Sequence, residues 1–188
     1  MKTMNNLNKT KIFFLVIAAI TITSCNNDDE PVNEEEVITT VTTTLTGGGQ
    51  VITLTSRDLD GDGPDAPVVT ASGNLAANTT YSGAVTFLNE TQSPAGDITV
   101  EVEEEGVDHQ VFYQLPAGLG TITYTDTDLN GKPIGLTFTL MTGNAGTGNL
   151  TVTLRHLPNK SAPGVATGDI TNADGATDAL VTYPVTVN

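Results

Sequence analysis

The chain has 188 residues, 22 acidic against seven basic side chains, and a formal net charge of −15. A surface this acidic repels phosphate backbones and anionic headgroups, so nucleic acid is excluded as a partner. One cysteine and no tryptophan leave no disulfide framework and no cysteine metal site, so packing alone must hold the core.

In chain order, Lys2, Lys9 and Lys11 form a basic start. Ile12 to Ile22 (IFFLVIAAITI) is an apolar run. It is shorter than the roughly 20 residues a membrane span requires, and it has the length of a signal-peptide core. Thr23 and Ser24 then precede Cys25. This order resembles the lipobox of bacterial lipoproteins. The resemblance implies a signal peptide over 1–24 and lipid attachment at Cys25, which would anchor the protein to a bilayer. Without Lys2, Lys9 and Lys11, four basic residues (Arg57, Lys132, Arg155, Lys160) face 22 acidic ones, so the mature chain carries −18.

Residues 25–36 read as the lipidated cysteine and an acidic tether (CNNDDEPVNEEE). Only Val32 offers apolar area in the tether, too little to offset the entropy of ordering it. Acidic residues directly after the cysteine resemble the surface-export signal of Bacteroidota lipoproteins. The expected location is the outer membrane, with the cell surface favoured over the periplasmic face.

Residues 37–188 suffice for one domain. Threonine and valine dominate, and both suit a pleated surface. The runs alternate with period two. Val37, Thr39, Val41, Thr43 and Leu45 share a face, as do Ile52 with Leu54, and Ile122 with Tyr124. The same holds for Leu136, Phe138 and Leu140, and for Leu150, Val152 and Leu154; "ALVTYPVTV" closes the chain. Glycine- and asparagine-rich turns separate these runs. The pattern predicts an all-β fold: a single Ig-like antiparallel β-sandwich of about eight or nine strands. At most one short helix is expected, near 95–106. There Ser93-Pro94 signals a start and Gly106 an end, although Ile98, Val100 and Val102 also alternate.

A shift of 70 residues lays "VITLTSRDLDGDGP" on "TITYTDTDLNGKP" and Gly73-Asn74 on Gly143-Asn144. Strand, acidic loop and strand would then occur twice. Asp58, Asp60 and Asp62 match D-x-D-x-D-G, and Asp126, Asp128 and Asn130 match D-x-D-x-N-G. Carboxylates at alternate positions can converge on a hard cation, so calcium is the one cofactor the sequence suggests. The EF-hand form fails: its twelfth position holds Val69 or Thr137 rather than glutamate. The competing reading is that Asp, Asn and Gly simply make tight turns.

His109 and His156 open and close strand-like runs. If those strands pair, the rings meet, and zinc would need a third ligand such as Glu104 or Glu105. Strand-end histidines are usually surface residues, and that is the expectation here. No nucleophile elbow, P-loop or HExxH occurs. Tyr81, Tyr113, Tyr124 and Tyr183 are scattered, several of them at strand positions that suit a core, which weakens a glycan-binding reading.

The stretches "EEEVITTVTTTL", "LNETQSPAGDITVEVEEEGVDHQVFYQL", "YTDTDLNGKPIGLTFTL" and "TVTLRHLPNKSA" resemble short flavobacterial (Bacteroidota) lipoproteins of unknown function. Some of these are labelled "type 1 periplasmic binding fold superfamily". That label implies two α/β lobes with helices between parallel strands, and the alternating pattern offers neither. The family brings no catalytic residues. The function expected is a non-enzymatic, lipid-anchored envelope interaction module with an unidentified envelope or extracellular partner. The alternative is a calcium- or ligand-binding module, glycans included.

Overall fold

A computed structural model describes residues 36–61 and 63–188. The signal-peptide segment, Cys25, most of the tether and Asp62 lie outside the described residues. Among the described residues, no helix is long and apolar enough to cross a membrane.

Ten strands and one short α-helix follow one another. They are β1 (Thr40–Gly47), β2 (Gln50–Arg57), β3 (Val68–Ala71), β4 (Thr80–Asn89), β5 (Gly96–Asp97), α1 (Ile98–Glu104), β6 (His109–Gln114), β7 (Gly120–Tyr124), β8 (Thr137–Thr142), β9 (Gly146–His156) and β10 (Ala176–Val187). One sheet has the order β3-β2-β1-β4-β8-β7, with β5 beside β4; the other is β10-β9-β6. All pairings between these strands are antiparallel, and the sheets form a sandwich. The all-β expectation therefore holds. The strand count exceeds it, chiefly because β5 is a two-residue strand that carries no periodicity.

Alternation makes the core. Val41, Leu45, Ile52, Leu54, Val85, Phe87, Phe138 and Leu140 fill one inner face, and Val111, Leu150, Val152, Leu154, Tyr183 and Val185 the other. Tyr183 Oη donates to the Val41 carbonyl at 2.8 Å across 142 residues of chain, so the last strand is tied to the first. Val37 departs from its predicted face and is 55% exposed, because it precedes β1.

The ambiguous segment is a helix. Asp97 caps it by accepting from the Thr99 amide, and Ile98 and Val102 are its buried pair. Val100 is 48% exposed, where a strand would have turned it inward with them. The start lies beyond Ser93-Pro94, and Glu105 rather than Gly106 is the C-cap. Its glutamates face solvent.

β6 is buried on both faces. The β9–β10 connection, with 3-10 turns at Val165–Thr167 and Ile170–Asn172, covers its outer side. Phe112 packs there with Val165 and Ala173, and Gln110 Nε2 donates to the Val165 carbonyl at 2.8 Å. His109 lies on the other face of β6, the inner one, with Val111 and Tyr113 of the main core.

Candidate functional site

In the β6–β9 ladder His109 lies directly opposite His156. Directly opposed residues on adjacent strands hold their side chains side by side. The rings accordingly stack, with centroids 4.8 Å apart and planes 10° from parallel. The conditional expectation that the two rings meet is met. The expectation that both are surface residues is not: His109 is 1% exposed, because it lies on the inner face of β6 with Val111 and Tyr113.

Of the two glutamates expected there, Glu105 groups with His109, while Glu104 is exposed and belongs to no such group. Asp178 arrives from β10, at an irregularity where the register against β9 shifts between Thr177 and Ala179. Counting back by twos from Tyr183 puts Ala179 and Thr177 inward and Asp178 outward. A bulge adds a residue and re-aims a side chain. The Asp178 side chain is 3% exposed, and its Oδ2 lies 3.9 Å from His109 Nε2. Glu36, just before β1, places Oε1 3.6 Å from the same nitrogen. Glu105 contributes twice: its carboxylate lies near Glu36 and His109, and its backbone carbonyl sits 3.2 Å from His109 Nδ1.

That carbonyl can only accept, so Nδ1 carries a proton and Nε2 presents its lone pair. Nε2 therefore faces two carboxylate oxygens at separations longer than hydrogen bonds. Burial pushes the His109 imidazole down, and the stacked His156 adds to this, against the Glu105 carbonyl and nearby carboxylates. Burial also pushes Glu36 up to about 7, helped by Asp178, Glu101 and Glu105. Glu36 Oε2 is buried without a hydrogen-bond partner among the described residues. A groove of about 390 Å³ is lined by Glu36, Ile38, Val41, Asp178 and Leu180 among others, and neither histidine lines it.

The acidic loops have their own geometry. In the first, Asp58 Oδ1 accepts from the Gly61 amide at 3.0 Å and Asp60 Oδ2 from the Asp65 amide at 3.2 Å. In the second, Asp126 accepts from the amides of Gly135 and Thr137 at 2.7 and 2.9 Å. Asp128 Oδ1 accepts from the amides of Asn130 and Lys132, and Oδ2 from Lys160 Nζ at 2.9 Å. Asn130 itself is exposed. Among the described residues, the groups of three or more ligand-type side chains close enough to share an ion involve His109 in each case, and neither acidic loop forms one.

Lys160, which reads in the sequence as an ordinary loop lysine, is only 7% exposed. Its ammonium donates to Asp128, to the Pro133 carbonyl at 3.0 Å and to the Gly106 carbonyl.

Comparison with known proteins gives no match to a family model, a curated protein or a solved structure.

Proposed function

We propose that the chain is a non-enzymatic lipoprotein, held to the outer membrane through acylated Cys25 and displayed mainly at the cell surface. There its sandwich engages an envelope or extracellular partner. The observation that carries this reading is an order of features. A basic start, a short apolar run, Thr23-Ser24-Cys25 and an acidic stretch directly precede a strand-built domain whose first strand begins at Thr40. Two acyl chains give stable anchoring where one is marginal, since each buried CH₂ contributes about 0.8 kcal/mol. Exposed strand residues Val51, Val68 and Leu180 add apolar contact surface to an otherwise polar, anionic exterior. Cys25→Ser should abolish incorporation of labelled palmitate and leave the precursor uncleaved. Equal labelling of wild type and variant would refute the anchor.

A second reading, a calcium- or ligand-binding module, rests on the first acidic loop. Asp58 and Asp60 each keep one carboxylate oxygen outside the loop's hydrogen bonds among the described residues. A cation there at 100 times its Kd would add about 2.7 kcal/mol, or roughly 5–10 °C in Tm for a domain this size. On this reading Asp60→Ala removes the calcium-dependent shift. The same shift in both proteins would make the loop a plain turn.

A further inference from the structure

We propose that Glu36, His109, His156 and Asp178 form a binding site for one divalent transition cation of the zinc class. Three independent features of the fold converge on it. The first is spacing. Zinc bonds to imidazole and carboxylate run about 2.0–2.2 Å, so neighbouring ligand atoms of a tetrahedral site stand about 3.3–3.6 Å apart. His109 Nε2 lies 3.6 Å from Glu36 Oε1 and 3.9 Å from Asp178 Oδ2. The ligand atoms of His109, His156 and Asp178 all fall within 4.8 Å of one another. Glu36 falls within that distance of His109 and Glu105, in a second group that shares His109.

The second feature is orientation. A metal-binding imidazole commonly donates its other ring N–H to a carbonyl, which fixes the tautomer and aims the lone pair. His109 Nδ1 meets the Glu105 carbonyl in this way. A ring lone pair lies in the ring plane, so His156 joins the same ion only by turning out of its stack on His109. The third is the irregularity in β10, which brings Asp178 inward where regular pleating would send it to solvent. Such bulges recur beside functional sites.

The donor set selects the ion. Two imidazoles and two carboxylates suit zinc and its neighbours, whereas calcium and magnesium take all-oxygen shells. The groove beside Glu36 and Asp178 opens to the surface on the carboxylate side of the set. Because Glu36 adjoins the acidic tether, a bound ion would fasten the start of the domain to β6, β9 and β10.

The test uses the full chain, purified from membranes in detergent without a polyhistidine tag and stripped with a chelator. Zinc chloride should then bind one per chain and raise Tm by about 5–10 °C near 100 times its Kd; calcium chloride should not reproduce this through these residues. Asp178→Asn, His156→Gln and Glu36→Gln should each weaken zinc at least about tenfold. Glu36→Gln, at the margin of the cluster, covers the case in which a buried variant fails to fold. Cobalt(II) should give the visible bands of a tetrahedral site, lost in Glu36→Gln. No zinc-dependent rise in wild type would overturn the site. So would an equal rise in wild type and all folded variants, which would mark adventitious binding to surface carboxylates. Neither outcome bears on Cys25, whose acylation is read separately by palmitate.

Discussion

At the scale of single residues, Lys160 is the side chain on which the loops depend. Burial pushes its ammonium down, against the pull of Asp128 and nearby carboxylates. Burial by itself would push Asp128 up, yet Lys160 and the amides of Lys132 and Asn130 hold that carboxylate below its ordinary range. The two partners thus shift in directions that disagree about the pair's worth. Asp128 is the surer guide, because three donors meet it at 2.8–2.9 Å. Lys160→Met should cost about 3–5 kcal/mol, since it leaves a buried carboxylate without its cation, and Asp128→Asn in that background should recover part. Urea unfolding measures both, and a loss below about 1 kcal/mol, the worth of a surface pair, would show the pair to be idle. A depressed carboxylate stabilises the fold above its unfolded pKa of about 3.9, and that contribution is lost as pH falls through the folded value. Wild type should therefore lose stability on acidification more steeply than Asp128→Asn. None of this was legible in "LPNKSAPG", where a lysine among proline, glycine and serine has the composition of any surface loop.

Among the elements, strands are legible in the sequence because burial on one face writes period two directly into it. α1 was harder for a physical reason: Ile98 and Val102 are four apart, a spacing that both periods satisfy. Only Val100 separates them, and its side chain is turned out. The 70-residue correspondence maps β2–β3 onto β7–β8, two hairpins at opposite ends of one sheet. In the first the outermost strand is the later one, and in the second the earlier one. Shared turn chemistry is what the two have in common. Packing between elements adds a constraint that propensity hides. Gly83 sits mid-strand in β4 opposite Phe138 of β8, and a Cβ there would lie 2.3 Å from the Phe138 ring. Gly83→Ala should gain strand propensity yet destabilise by about 1–3 kcal/mol through overpacking. Phe138→Leu in that background should relieve part of the loss. A neutral or stabilising Gly83→Ala, read by thermal unfolding, would show that the ring moves aside freely.

For the whole molecule, the sandwich brings together segments far apart in the chain, and the candidate site inherits that distance. The meeting of His109 and His156 was readable as a consequence of one strand pairing. Asp178 was not, because alternation assigns it to solvent and only the shift in β10 reverses this. Glu36 was hidden by its place at the end of an acidic run whose composition reads as tether. The proposed hold of Cys25 on a membrane can be read at the N-terminus of the native protein. Mass spectrometry of protein extracted from membranes should find a first peptide that begins at Cys25 and carries a diacylglycerol thioether with an amide-linked acyl chain. A native protein that retains residues from 1–24, or that carries Cys25 as a free thiol, would contradict it.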